Sequence, residues 1–174
     1  KLIFMSNTDA ELTKYTANAM LATKISFINE ISSICDKLGV DIENVRKGIG
    51  SDSRIGYSFI YPGVGYGRSC FPKDVQGLIY NYKQLHMNCP LLSAVEEVNN
   101  KQKEVMFHKI INLYGEDLSD FTFGIWGLSF KPNTDDIRES PALVMIHLIL
   151  QSGGKVRLYD PIALNVVRDL IGDN

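Results

Sequence analysis

The stretch TDAELTKYTANAMLATKISFINEISSICDK, residues 8–37, decides the fold class. Thr8 and Glu11 have capping-box spacing, in which a hydroxyl and a carboxylate three residues apart each satisfy a backbone N–H at a helix start. From Ala10 to about Lys37 no glycine or proline interrupts, and Leu12, Tyr15, Ala19, Ala22, Ile25 and Ile28 recur at helical spacing. At ~1.5 Å per residue such a helix is roughly 40 Å long, too long for a small domain to hide within itself. Ala10, Ala17, Ala19 and Ala22 thin part of its surface and allow a second helix to approach closely. A two-fold homodimer through residues 10–37 is therefore expected. Gly39 ends the helix.

Outward from it, Asp41 caps a short helix from Ile42 to about Ile49, which Gly50 ends. Residues 51–69 have no sustained period and read as a long functional loop rich in Gly and Tyr. Helices follow from about Pro72 to Leu85 and from Pro90 to about Tyr114, before Gly115. The character then changes. Residues 121–129, FTFGIWGLS, read as a buried strand with Trp126 in the core. Glu139 to about Gln151 reads as an amphipathic helix, and Lys155–Tyr159 as a second strand. Strand, helix, strand is one parallel βαβ unit, which cannot form a stable sheet alone. The expected fold is mainly α: a helical domain over residues 1–117, then a truncated Rossmann-like α/β unit over residues 118–174. The chain opens mid-pattern on Lys1 and stops soon after a strand-like segment, so a piece of something longer is expected.

Eighteen Lys and Arg stand against twenty Asp and Glu, with no long run of like charge. That argues against a nucleic-acid or membrane-surface partner. No stretch reaches the ~18 apolar residues of a membrane span. Cys35, Cys70 and Cys89 cannot all pair within the chain and fit no zinc spacing, so no metal is expected. A reducing, cytoplasmic location is the simplest reading.

The residues that could carry chemistry cluster in PGVGYGRSCFPKD, residues 62–74. Gly63, Gly65 and Gly67 let a backbone approach a ligand or adopt positive φ. Cys70 falls where this loop enters a helix, beside Arg68 and Lys73, a place that favours thiolate. Two readings fit: a covalent nucleophile, or a small cysteine buried in a tight turn. Asp74, four residues on, is either a catalytic carboxylate or a first-turn complement to the helix dipole. Lys14 and Asn18 share a face of the long helix. Lys14 is either a base held against apolar surface or a solvated cation with its stem along the helix. Phe130 to Arg138 follows the first strand, where open parallel sheets bind ligands; Lys131 and Arg138 either suit a phosphate there or are the surface charges of a polar connecting loop. Gly124-Ile-Trp-Gly127 is no dinucleotide fingerprint. His86, His108 and His147 sit in helical patterns too far apart to form a site.

Five segments together resemble the nucleotide-sugar dehydrogenases, the UDP-glucose/GDP-mannose dehydrogenase family. They are Ala10–Asn18, Phe27–Glu30, Asp52–Gly56, Gly65–Asp74 and Phe130–Ser140, in matching order over nearly the whole chain. The resemblance implies a central helical domain with a dimer-forming helix, followed by the start of a C-terminal UDP-binding α/β domain. An N-terminal NAD-binding domain would lie outside this chain. It implies oxidation of UDP-glucose to UDP-glucuronate with two NAD+. Cys70 would form a thiohemiacetal and then a thioester, Lys14 and Asn18 would stabilise charge at the sugar oxygen, and Asp74 would handle protons with an ordered water. Tyr61, Pro62, Gly63, Val64, Gly65, Tyr66 and Gly67 would line the sugar and uridine. Arg54 would reach the neighbouring subunit's substrate, Phe130 and Lys131 would meet the nucleotide end, and Lys73 and Arg138 would reach the cofactor. Arg68 stands where many relatives have glycine. Two alternatives stand beside this: a dehydrogenase of another nucleotide sugar, such as GDP-mannose or a UDP-aminosugar, or an inactive dimerisation and binding module.

Overall fold

Ser6, rather than Thr8, starts the long helix. In the computed structural model, which describes residues 2–67 and 71–172, the Ser6 hydroxyl accepts from the Asp9 N–H at 3.1 Å. Helix α1 then runs Asn7–Leu38. Ser6 and Asp9 carry the same spacing as Thr8 and Glu11, and serine is the better N-cap residue of the two hydroxyls. Gly39 stops α1 in a left-handed conformation, its N–H donating to the Cys35 carbonyl. Asp41 caps α2 (Ile42–Gly50) by accepting from the Glu43 N–H. Gly50 lies inside α2 rather than beyond it, and the Tyr57 ring packs where a side chain would be. Helix α3 spans Phe71–Gln84 and α4 spans Pro90–Tyr114. His86 falls just past α3, at φ 55.

The described residues form two compact units. The first takes residues 2–63 and 71–99. Its core is made by Ala19, Ala22 and Ile28 of α1, Val75, Leu78 and Ile79 of α3, and Val95 of α4. The small alanines let α1 and α3 lie close, and Gly77 adds to this by facing the Tyr15 ring. Ser26, buried on α1, donates to the Val95 carbonyl at 2.9 Å. Burial without such a bond would cost about 1–3 kcal/mol.

The second unit takes residues 64–67 and 100–172. Strands β1 (Thr122–Trp126) and β2 (Lys155–Tyr159) pair in parallel from Thr122↔Lys155 to Trp126↔Tyr159, joined through α5 (Pro141–Gln151). A further helix, α6 (Leu164–Ile171), follows β2 and was not expected. Leu128, Ile146, Ala163 and Val167 make the core, with Ile125, Val156 and Leu158 packed on it from one face of the sheet. Among the described residues the opposite face, with Trp126, Arg157 and Tyr159, is exposed. Trp126, expected in the core, is 86% exposed and meets Tyr159 edge-on at 5.9 Å. Alternation explains this: Phe123 and Ile125 point to the covered side, so Trp126 points away. Asp160 ties the strand ends together. One of its carboxylate oxygens accepts from the Leu128 N–H after β1, the other from the Ile162 and Ala163 N–H groups.

Candidate functional site

Two polar clusters, one on each unit, hold six of the residues that the sequence singled out: Lys14, Asn18 and Asp74 on the first, and Phe130, Lys131 and Arg138 on the second. The first is built on α1. Lys14 and Asn18, one turn apart, both turn toward Asp74 in the first turn of α3. The Lys14 ammonium donates to both carboxylate oxygens of Asp74, at 2.8 and 2.6 Å. The Asn18 amide donates to one of them at 2.5 Å. Asp74 is fully buried, whereas the Lys14 side chain is 56% exposed. Lys14 is thus neither stretched along its own helix nor held in a dry pocket. It is the counter-ion of a buried carboxylate, with one side open to solvent. Its ammonium also lies 4.8 Å from the centre of the Tyr15 ring. An ammonium, an amide donor and a carboxylate within hydrogen-bond reach can bind an oxygen and move its proton.

Asn29 stands three turns beyond Asn18 on α1 and is fully buried. Its side-chain carbonyl accepts from the Gly63 N–H at 2.8 Å, so α1 sets both the ionic cluster and the start of the glycine loop. The Gly63 N–H can only donate, which fixes the amide orientation. The Asn29 NH2 then has no partner among the described residues. Tyr61 and Pro62 precede Gly63. The Tyr61 ring lies 4.3 Å from the guanidinium of Arg46, itself forked onto Glu43. That carboxylate bond holds the Arg46 guanidinium well above its ordinary pKa, against the opposing effect of burial. Arg54 is 87% exposed and forks onto Asp52. The Arg54 side chain, by that hydrogen bond, lowers the Asp52 carboxyl below its ordinary value. Lys73 is exposed on α3. Cys70 and Arg68 lie outside the described residues.

The second cluster is the loop between β1 and α5. Arg138 forks onto Asp136 at 2.8 and 2.7 Å, and the Phe130 N–H donates to the Asp136 carbonyl. The Lys131 ammonium lies 5.5 Å from the centre of the Phe130 ring. Phe130, Lys131 and Arg138 therefore share the one loop that joins the carboxyl end of β1 to α5. Val64 and Gly65 belong to this unit with buried Tyr66 and Gly67. Gly65 has φ 91, and Gly67 lies against the Glu139 carbonyl so closely that no side chain fits. Lys103 of α4, 6% exposed, donates to Glu139 at 2.8 Å. Asn29, Lys103 and Glu139 were not expected. Asn29 sits in the quoted Phe27–Glu30 segment without a role, and a lone Lys on a helix gives no signal of burial.

Each of Lys73, on the first unit, and Arg138, on the second, is an exposed cation of the kind that suits a phosphate. However, β1 leads into a loop of more than ten residues before α5, so no helix N-terminus follows the strand directly. Among the described residues no group of His, Cys, Asp and Glu could hold a metal ion. No helix among them is long and apolar enough to cross a membrane.

Residues 8–101 match the central domain of the UDP-glucose/GDP-mannose dehydrogenase family, and residues 124–171 match that family's UDP binding domain. A UDP-glucose 6-dehydrogenase of Pseudomonas aeruginosa is 50% identical over 163 residues, 94% of this chain and 36% of the relative. One from Bacillus subtilis is 46% identical over 162 residues, 93% of this chain and 37% of the relative. The solved UDP-glucose dehydrogenase of Pyrobaculum islandicum superposes with a TM-score of 0.92 at 38% identity, covering 97% of this chain and 39% of that one. The chain thus spans little more than a third of the length of these relatives.

Proposed function

The chain belongs to the UDP-glucose/GDP-mannose dehydrogenase family, and on that premise we propose that the whole protein oxidises UDP-glucose to UDP-glucuronate, with two NAD+ reduced in turn. The observation that carries the reading is the Lys14–Asn18–Asp74 cluster. It joins an oxygen-binding ammonium and amide to a carboxylate one turn beyond the sequence position of Cys70. Bound NAD+ supplies the hydride acceptor for both oxidations, held mainly outside this chain, with Lys73 and Arg138 meeting its phosphates.

Each oxidation removes a hydride and a proton. Lys14 and Asn18 stabilise the C6 oxygen as negative charge develops on it. Asp74 takes and returns protons through a water. The Cys70 thiolate adds to the aldehyde carbon, giving a thiohemiacetal whose second oxidation leaves a thioester. Water then attacks the thioester carbonyl, releasing the carboxylate and regenerating the thiol. Residues 61–67 line the sugar and uridine, Phe130 and Lys131 meet the nucleotide end, and Arg54 reaches a neighbouring subunit's substrate. Domain assignment follows the same lines, with the helical domain at 1–117 and the UDP-binding part at 118–174. The enzyme works in the cytoplasm as a homodimer. Support for the dimer comes from Leu12, Met20, Phe27 and Ile34, which form an exposed apolar stripe along α1.

The test uses the full-length protein and its Cys70→Ser variant, with UDP-glucose, GDP-mannose and UDP-aminosugars as substrates. UDP-glucose should be preferred, and Cys70→Ser should abolish most acid formation while still binding UDP-glucose. Near-normal UDP-glucuronate from the variant would overturn the nucleophile. Preference for another sugar would overturn the substrate. No turnover with any of them would leave the binding-module reading.

A further inference from the structure

Lys103, Glu139 and Gly67 meet in an arrangement that none of the roles above requires. Lys103 is a buried cation on α4 whose ammonium donates to the Glu139 carboxylate at 2.8 Å. Burying an ammonium is costly unless it is paired. Glu139 is costly too. Its backbone sits at φ 55, a left-handed conformation that an L residue with a long side chain seldom adopts. The same residue's carbonyl lies directly over Gly67, and a Cβ there would overlap that oxygen and also come within 3.3 Å of the Phe130 Cβ. Gly67 is therefore wedged between two parts of the loop that precedes α5. The next residue, Ser140, is pinned as well: it is buried, and its hydroxyl donates to the Leu128 carbonyl at 2.7 Å.

These facts are linked through one peptide group. The direction of the Glu139 carbonyl follows from the backbone dihedrals of Glu139. A right-handed Glu139 would swing that oxygen away from Gly67. Ser140 anchors one side of the turn, and the bond from Lys103 anchors the side chain. Strained backbone persists where its surroundings over-determine it, and such strain collects at functional loops.

We propose that the Lys103–Glu139 ion pair is a latch. It holds Glu139 in its left-handed turn, so that the Glu139 carbonyl and Phe130 seat Gly67 and register residues 64–67 with the Phe130–Arg138 loop. Neither residue touches the reacting atoms; both are positioning residues. The functional meaning rests on the reading of those loops given above: the first leads to Cys70 and the second meets the nucleotide. The latch makes the placement of one depend on the other.

The structural test needs no turnover. Hydrogen exchange of this chain would be followed by mass spectrometry in peptides covering residues 61–67 and 128–139. Lys103→Met and Glu139→Gln should speed exchange about fivefold or more in both segments, while α1 and α3 keep their protection. Lys103→Arg, which retains the charge, should recover most of the protection. Glu139→Gly removes the carboxylate but favours positive φ by itself. It should therefore disturb residues 61–67 less than Glu139→Gln does, an ordering that mere loss of an ion pair would not produce. In the full-length protein, UDP binding by calorimetry should weaken about tenfold in Lys103→Met and recover in Lys103→Arg. The latch is overturned if residues 61–67 keep their protection while 128–139 opens. It is overturned equally if protection falls throughout the chain, or if Glu139→Gly is as disruptive as Glu139→Gln. Failure of the full-length protein to oxidise UDP-glucose would strike the proposed function and leave the exchange result standing.

Discussion

Replacing Lys14 should cost more stability than replacing Asp74, although the two are partners in one ion pair. The reason is the difference in their burial. Asp74 is fully buried and Lys14 is 56% exposed. In Lys14→Met the carboxylate stays behind with the Asn18 amide as its remaining donor among the bonds described here. Breaking a buried pair by removing one partner costs about 3–5 kcal/mol. Water reaching through the open Lys14 side lowers this to about 2–4 kcal/mol. In Asp74→Asn the released ammonium is already half in water and loses little. The loss there comes from Asn18 and from one amide N–H facing another donor, about 1–2 kcal/mol. For a chain of this length each kcal/mol moves the melting temperature by about 2–4 °C. The double variant Lys14→Met/Asp74→Asn should be milder than the sum of the two, because no uncompensated carboxylate remains. A coupling of about 1–2 kcal/mol is expected. Urea unfolding followed by far-ultraviolet circular dichroism would measure all four proteins. A coupling below about 0.5 kcal/mol would refute the reasoning. So would a Lys14→Met protein more stable than Asp74→Asn, since burial would then not decide the asymmetry.

Three further outcomes are expected. Burial raises the Asp160 carboxyl pKa, but bonds from the backbone N–H groups of Ala163, Leu128, Ile162 and Ser129 outweigh it and hold the group below its ordinary value. A depressed folded value means the unfolded chain binds the proton first, so this contribution is complete above about pH 4 and fades as pH falls through the folded value. Asp160→Asn should flatten that part of the urea midpoint against pH, and an unchanged slope would contradict it. Gly154→Ala would place a Cβ 2.8 Å from Ile149 Cγ2 and 3.1 Å from Leu118 Cβ, both buried side chains. Overpacking there should cost about 1–3 kcal/mol in the same assay, and a neutral variant would count against the packing described. Phe27, 53% exposed in the α1 stripe, should yield a monomer when changed to Glu, whereas the unaltered chain should scatter light as a dimer at tens of micromolar. A monomeric wild type would remove the proposed dimer.

What was legible in the sequence was local. Helix α4 and strand β2 have the bounds expected of them, Pro90–Tyr114 and Lys155–Tyr159, because proline and glycine punctuate them. The parallel pairing follows from strand, helix, strand. What was not legible depends on which face meets what. Trp126 reads as core by its chemistry, yet the two-stranded sheet is covered on one side, and alternation turns Trp126 to the other. Lys14 and Asn18 could be placed on one face of a helix. Their partner Asp74 lies 60 and 56 residues away, and no spacing rule reaches that far. Helix α6 escaped for a different reason. It has no capping side chain, since Ala163 precedes it. Asp160 instead fixes the turn that leads into it, its carboxylate taking the N–H groups of Ile162 and Ala163 just before the first helical residue.

The glycine loop shows how one sequence signal divides into separate physical causes. Three alternating glycines predict positive φ or close backbone approach, without saying which glycine needs which. Gly63 needs neither: its φ is not positive and a Cβ there would meet open space. What matters at Gly63 is its N–H, which any residue but proline could offer to Asn29. Gly65 carries the conformational demand, at φ 91. Gly67 carries the steric one, under the Glu139 carbonyl. The two demands come from different places. The first is a backbone conformation at Gly65 itself, which glycine adopts without steric penalty. The second exists because a glutamate seventy-two residues later is held in a left-handed turn by a buried lysine. A loop whose shape is set partly from outside responds to whatever moves that outside part. That is the physical content of the coupling proposed between the segment leading to Cys70 and the loop at the end of β1.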